Sequence, residues 1–237
     1  MSFHRGPRIV VDTAKLILDA GTPRSYPGSG TTWSDLSGNG MSGTLINGTT
    51  YTDRYMAFDG VNDYVQVLYN SSLAPTEQIT LDSWAWKSTW TGVTTSERIL
   101  SKTQSGGYQL TLNEGPNVPT GNIGLVLFYG GAYRAAYVAL STISNGWNYF
   151  AGTCDGRYLK FYVNGVNVST YDLGSIGTIT YTYNNALTIG AEVGSGSTAA
   201  GQYFNGRISS IKVYNRALLP NEILKNFEAL KHRFGLV

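Results

Sequence analysis

The chain contains one cysteine, Cys154, and two histidines, His4 and His232, both close to an end. A lone cysteine closes no intrachain disulfide, and no Cys/His grouping has the spacing of a zinc site. With both histidines terminal, a Ser/His/Asp triad lacks a central base. Charge is equally scarce. Only 14% of the 237 residues are charged, 17 basic against 15 acidic, for a net charge of +2. The basic residues are scattered, and their one cluster, Lys231-His232-Arg233, falls at a predicted helix end where it complements the dipole. Nucleic-acid recognition needs a basic stripe, so no nucleic-acid partner is expected. No apolar run approaches the length of a membrane span, so no membrane partner is expected either. The opening residues, Met1-Ser2-Phe3-His4-Arg5-Gly6-Pro7-Arg8, lack the apolar core of a secretory signal. Folding in a reducing cytoplasm is the expectation, and it suits a chain with one cysteine.

What is abundant is aromatic and small. Aromatic residues make up 13% of the chain, with 17 tyrosines and 29 glycines. Tyr, Thr, Val and Gly in this proportion build short strands and tight turns. Strands are expected at Ala14–Ala20, Gly43–Leu45, Tyr55–Phe58, Tyr64–Val67, Ile79–Trp86, Arg98–Lys102, Tyr108–Leu112, Gly124–Tyr129, Ala136–Leu140, Trp147–Cys154, Leu187–Gly190 and Gly206–Tyr214. Tyr158–Val163 meets Asn164-Gly165 and returns as Val166–Val168, the strongest short hairpin signal in the chain. One helix closes the sequence. Pro220 suits its first turn, Ile223, Phe227 and Leu230 recur at helical spacing, and Gly235 stops it. The fold class is therefore all-β, a two-sheet antiparallel sandwich with one short C-terminal helix. Residues 1–12 read as an N-terminal arm, either an edge strand or a segment docking on a neighbouring subunit, and residues 13–237 as a single domain.

Two stretches carry candidate ligand-binding residues. In Thr31–Gly40, Trp33 precedes Asp35, Ser37 and Asn39, which offer oxygens at alternate positions. In Ala57–Val67, Asp59-Gly60 and Asn62-Asp63 form a tight acidic turn that runs into a strand. Asp35, Asp59 and Asp63 are weak calcium candidates, because Ca²⁺ takes hard oxygen ligands from flexible loops. The same residues make Asx-turns without any ion, and that reading is preferred. Trp33, Asp35, Asn39, Asp59, Asn62 and Asp63 are together the candidate glycan-binding set. Asp82, Trp84 and Trp86 share one face of their strand and suggest a second aromatic platform, although at least one of these indoles is expected in the core.

Several segments taken together resemble the laminin-G-like, concanavalin A-like jelly rolls. They are Phe58-Asp59-Gly60 with Asp63-Tyr64-Val65, Trp84, Trp147, Phe161-Tyr162-Val163-Asn164-Gly165, and Gly206-Arg207-Ile208 leading to Tyr214-Asn215-Arg216-Ala217-Leu218 and Glu222-Ile223. One departure is Leu219, where relatives place a Ser or Thr N-cap. The flanks, Gly6-Pro7-Arg8-Ile9-Val10, Leu18-Asp19-Ala20-Gly21, Ser25–Trp33, Asp35–Gly40 and Phe227–Leu236, are similar to lectin-like virion proteins of tailed phages that infect cyanobacteria and other aquatic bacteria. This resemblance implies a structural protein of the particle, a capsid decoration, neck or fibre component. It implies localisation to the virion, contacts with other virion proteins through residues 1–12, and a homo-oligomeric arrangement.

Three functions follow in order. The first is a non-enzymatic virion module held by protein contacts. The second is a carbohydrate-binding adsorption module for host-surface glycans, with Ca²⁺ as an optional cofactor. The third, a glycoside hydrolase, ranks last. Retaining hydrolysis needs two carboxyls about 5–5.5 Å apart, and no predicted strand carries two acids at such spacing. No catalytic residue is assigned.

Overall fold

The computed structural model describes residues 7–103, 105–175, 177–194 and 199–237. Two antiparallel eight-stranded sheets pack face to face. The first sheet runs, in spatial order, β14 (Val166–Asp172), β13 (Tyr158–Val163), β12 (Gly146–Cys154), β7 (Ile79–Lys87), β18 (Asn205–Tyr214), β5 (Tyr55–Asp59) and β4 (Thr50–Thr52). Its eighth strand, β1 (Ala14–Asp19), pairs with the C-terminal half of β18, beyond the part that β5 uses. The second sheet runs β11 (Ala132–Ala139), β10 (Asn122–Tyr129), β9 (Gly107–Leu112), β8 (Glu97–Thr103), β15 (Leu187–Ile189), β6 (Tyr64–Val67), β3 (Gly43–Ile46) and β2 (Thr32–Trp33). β16 (Glu192–Val193) and β17 (Ala199–Gly201) pair antiparallel in a separate two-stranded sheet. This is the two-sheet antiparallel sandwich that the alternating patterns predicted, and it agrees with the jelly roll that the resemblance implied.

Period-two alternation places the core between the sheets. Leu81 and Ala85 of β7, Val65 and Val67 of β6, Leu110 of β9, Leu125 of β10 and Ile211 and Val213 of β18 meet there, almost wholly buried. The predicted Asn164-Gly165 hairpin is present. Both residues take positive φ, 50° and 82°, as a two-residue turn between right-twisted strands requires. The Asn164 side chain also accepts from the Tyr149 N–H at 2.8 Å, tying the turn to β12.

A second apolar cluster lies on the far side of the first sheet, beneath helix α1 (Pro220–Leu230). Trp84 stacks on Phe227 at 5.7 Å and on Phe234 at 4.2 Å between ring centroids. Removing an indole from water is worth roughly 4–6 kcal/mol, so Trp84 is a main attachment of the helix. Leu219 offers no capping side chain. Instead the Glu222 carboxylate reaches back to the Leu219 N–H at 2.9 Å and is gripped by both guanidinium nitrogens of Arg216 at 2.6 and 2.7 Å. That closure takes over the missing cap's work.

Polar groups are buried in the same layer. The Lys212 ammonium meets Asp82 at 2.7 Å, and neither side chain has any exposed surface. Tyr149 and the Asn226 amide donate to the other Asp82 oxygen at 2.9 and 3.0 Å. Asn226 also donates to the Tyr214 hydroxyl and accepts from the Val10 N–H at 2.7 Å, and Tyr214 donates to the Val10 carbonyl. The described part of the predicted arm is thus not a strand, and it docks on its own chain. Val10 spends its backbone bonds on the helix and on β18 because an unpaired buried N–H or C=O costs a full desolvation penalty. Residues 1–6 of the predicted arm lie outside the described residues.

Two outcomes follow from this layer. Lys212→Met strands the Asp82 carboxylate in a dry site and should cost about 3–5 kcal/mol in urea unfolding. The double variant with Asp82→Asn, which leaves no charge, should lose less; an equal or larger loss would show that the pair contributes little by its charge. The Arg216 fork also holds the Glu222 carboxyl down from its ordinary 4.5 to about 2. Its stabilising contribution is present above the ordinary value and fades as pH falls from about 4.5 towards 2. In acid titrations followed by circular dichroism, Glu222→Gln should flatten the loss of stability across that window.

Candidate functional site

The fold separates the six predicted site residues. Trp33 pairs with Gly43, which pairs with Val67, whereas Ile46 pairs with Tyr64. Asp35 therefore follows one end of the β3–β6 ladder, while Asp59 and Asp63 sit at the other. The three carboxylates do not converge on one ion. Trp33 has no exposed surface, since β2 turns it into the inter-sheet core, and it cannot serve as a sugar platform. Asp35 organises its loop. One of its oxygens accepts from the N–H groups of Ile17 and Ser37, the other from Met41 N–H and the Ser37 hydroxyl. Asn39 donates to the carbonyls of Ala14 and Lys15. Asp63 is buried at 3% exposure, accepting from Gly48 and Asp59 N–H groups. Burial pushes its carboxyl up, and the nearby Asp59 adds to the rise, while these two N–H bonds oppose it. Asp59 closes an Asx-turn onto Val61 and Asn62 and, like Asn62, is exposed. Among the described residues no group of three or more His, Cys, Asp or Glu side chains could hold a metal.

The acidic turn nevertheless borders a cleft of about 600 Å³ through Gly60. Gly60 has φ +79°, and a Cβ there would come within 2.8 Å of the Asn205 Cβ, so only glycine lets the turn lie against β18. The opposite wall is the loop between β7 and β8. Trp90 anchors it, wholly buried, with its indole N–H on the Gly146 carbonyl at 3.1 Å and its ring edge-on to Phe150. The anchored loop contributes Ser88, Thr89, Thr94, Thr95 and Ser96 to the lining of the cleft. At its base Lys87 and Glu97 meet at 2.7 Å, both nearly inaccessible. Glu97 also accepts from the Thr95 hydroxyl and the Asn205 N–H, and Lys87 donates to the Asn205 carbonyl. Burial lowers the affinity of the Lys87 amine for its proton, and Glu97 holds it up. Among the described lining residues Glu97 is the one carboxylate, and it is committed to this pair.

Trp86 links the cleft to the open face of the first sheet. Strand register sets Trp147, Trp86 and Arg207 side by side across β12, β7 and β18. A bulge decides this. Two residues of β18, Ser209 and Ser210, lie where β7 offers only Trp84, so the alternation shifts by one between Ile208 and Ser210. Ile208 is turned into the core and Arg207 out beside Trp86, the re-aiming that a β-bulge performs. The guanidinium lies 3.9 Å from the Trp86 centroid and 4.7 Å from that of Tyr55. Tyr55 and Trp147 are 5.7 Å apart and line a second hollow of about 100 Å³ with Phe234, Arg233, Arg54 and Asp53. All four members of the row, Tyr55, Trp86, Trp147 and Arg207, are half-buried. Of the predicted platform, Asp82 and Trp84 lie under the helix and only Trp86 reaches solvent.

Residues 59–224, well over half of the chain, match the laminin G family model described as the concanavalin A-like lectin/glucanases superfamily. The chain belongs to this superfamily. A search of the curated proteins finds no match. Among solved structures, this superfamily member resembles the receptor-binding domain of botulinum neurotoxin mosaic serotype C/D, with a TM-score of 0.69 and 16% identity over 92% of this chain and 51% of that one. The binding domain of botulinum neurotoxin DC, solved in complex with rat synaptotagmin II, gives 0.69 at 14% identity over 93% and 52%. A botulinum neurotoxin type C structure, whose cell entry depends on two ganglioside molecules, gives the same score and identity over 93% and 52%. The chain spans about half the length of these neighbours, and at such identity the likeness is one of fold. The first two are binding domains.

Because Asp35 serves backbone donors, Asp35→Ala should unfold the loop rather than empty a metal site. A loss of at least about 2 kcal/mol is expected from the stranded N–H groups. The thermal shift of the variant should be the same in calcium and in chelator; a difference between the two would restore an ion at Asp35.

Proposed function

We propose that this chain is a non-catalytic glycan-binding module carried on the virion of a tailed phage. The observation that carries the binding assignment is Trp86, a half-buried indole at the junction of a hydroxyl-lined cleft and an open aromatic row. Aromatic faces suit the apolar faces of sugar rings, while Ser, Thr and Asn side chains match sugar hydroxyls. The exposed Asp59 and Asn62, beside Gly60, are placed to extend the rim.

Catalysis is not part of this reading. Glycoside hydrolysis requires a free pair of carboxyls, and Glu97 is held by Lys87 at the cleft base. Elsewhere Glu192 is held by Arg98 at 2.9 Å and Asp82 by Lys212. The reading also needs no ion, since Asp35 and Asp63 already accept backbone hydrogen bonds. The virion setting, with several copies held by neighbouring structural proteins, is supported by the flanking segments that resemble phage particle proteins. The neighbours' ganglioside and synaptotagmin ligands support a binding role of the same general kind.

A glycan array of the purified chain, read with and without chelator, tests the binding assignment. Binding that survives chelation is expected, and Trp86→Ala should weaken it tenfold or more, about 1.4 kcal/mol. Absence of binding to every glycan would overturn the assignment. Mass spectrometry of purified particles tests the setting independently, and should find this chain among the structural proteins.

A further inference from the structure

Four arginines of this protein are matched by acids. Arg98, Arg157, Arg216 and Arg233 each meet a carboxylate, on Glu192, Asp172, Glu222 and Asp19 respectively. Arg207 is held differently. Two aromatic rings fix its guanidinium, and among the described residues it has neither a hydrogen-bond acceptor nor an acidic partner. Its N–H groups therefore have no protein acceptor among the described residues, and they lie in the middle of the row that joins the cleft at Trp86 to the small hollow at Tyr55 and Trp147.

We propose that Arg207 is the specificity-determining residue of the glycan site and selects polysaccharides whose units carry a carboxylate. This rests on the glycan-binding reading above and goes beyond it to the substrate class. A guanidinium already held against two rings, 3.9 and 4.7 Å from their centroids, loses little further freedom when it forms two parallel hydrogen bonds, and a planar carboxylate matches its N–H fork. The clamp also fixes the order of contacts. A sugar ring lying on Trp86 or Trp147 brings a carboxylate on its ring edge to Arg207, which lies beside Trp86 in strand register. The surroundings leave the charge to act. The nearest cleft carboxylate, Glu97, is neutralised by Lys87, and Arg233 at the hollow is matched by Asp19. Asp53 and Arg54, which line the same hollow, carry opposite charges.

The test compares polygalacturonate, a sulfated dextran and neutral dextran for binding to the full chain by titration calorimetry at low and high salt. Polygalacturonate should bind at least tenfold more tightly than neutral dextran, with an advantage that shrinks as salt screens the charge. Arg207→Met should bring the ratio of charged to neutral affinity close to one, and Arg207→Lys should keep part of it, with melting temperatures confirming that both variants fold. Equal affinity for polygalacturonate and neutral dextran would overturn this proposal while leaving the glycan-binding reading in place. Preference for the sulfated polymer alone would overturn the carboxylate assignment. Failure of all three, together with an empty glycan array, would overturn the glycan-binding reading itself. A charged preference unchanged in Arg207→Met would place the selecting group elsewhere.

Discussion

Asp82 and Lys212 face each other across β7 and β18 in a layer from which water is excluded. Neither can be left alone there, because an uncompensated buried charge costs several kcal/mol. The pair draws in Tyr149, Asn226, Tyr214 and through them the backbone of Val10. Residues far apart in sequence are thereby fixed on one face of one sheet: two central strands, a third beside them, the closing helix and the opening segment. Helix α1 must dock where Asn226 reaches Asp82, and the arm must cross where Val10 meets both Asn226 and Tyr214.

That docking divides the face of the first sheet. The half over Asp82 and Trp84 is covered by Phe227, Phe234 and Ile223. Over Trp86, Arg207 and Tyr55 the face stays partly open, because the helix ends at Leu230 and the following turn ends at Phe234, which packs on Trp147 at 4.6 Å. The same strand thus supplies an anchor indole and a surface indole two residues apart. A single packing arrangement, which covers a buried ion pair, also sets the extent of the proposed binding surface.

The polar chemistry of the molecule is consistent with recognition. Its buried acids Asp19, Asp82 and Glu97 are paired with cations, and Asp63 accepts from backbone donors. Cys154 is buried among apolar neighbours, with its thiol pushed up to about 11 by loss of solvation, which leaves it unreactive near neutrality. The half-buried row offers aromatic area and the Arg207 guanidinium, and hydroxyl-bearing residues line the cleft beside it.

Much of the architecture was legible in the residues. Alternation in Ile79–Trp86, the Asn164-Gly165 turn and the Pro220-to-Gly235 helix all determine local geometry through short-range sterics, and each stands where it was expected. The functional surface was harder to read. Trp33, Asp35 and Asp63 have the composition of a ligand site, yet burial and backbone donors claim them, and nothing in a linear pattern says which neighbours will compete for an oxygen. Arg207 was missed for a definable reason. Counting back by twos from Val213 and Ile211 puts position 207 in the core and Ile208 on the surface; the bulge at Ser209 reverses both. By itself the sequence determined the sandwich and its closing helix. Only the tertiary structure decided which indole is covered, which acid is occupied and which way one arginine points, because those depend on pairing register between strands distant in the chain.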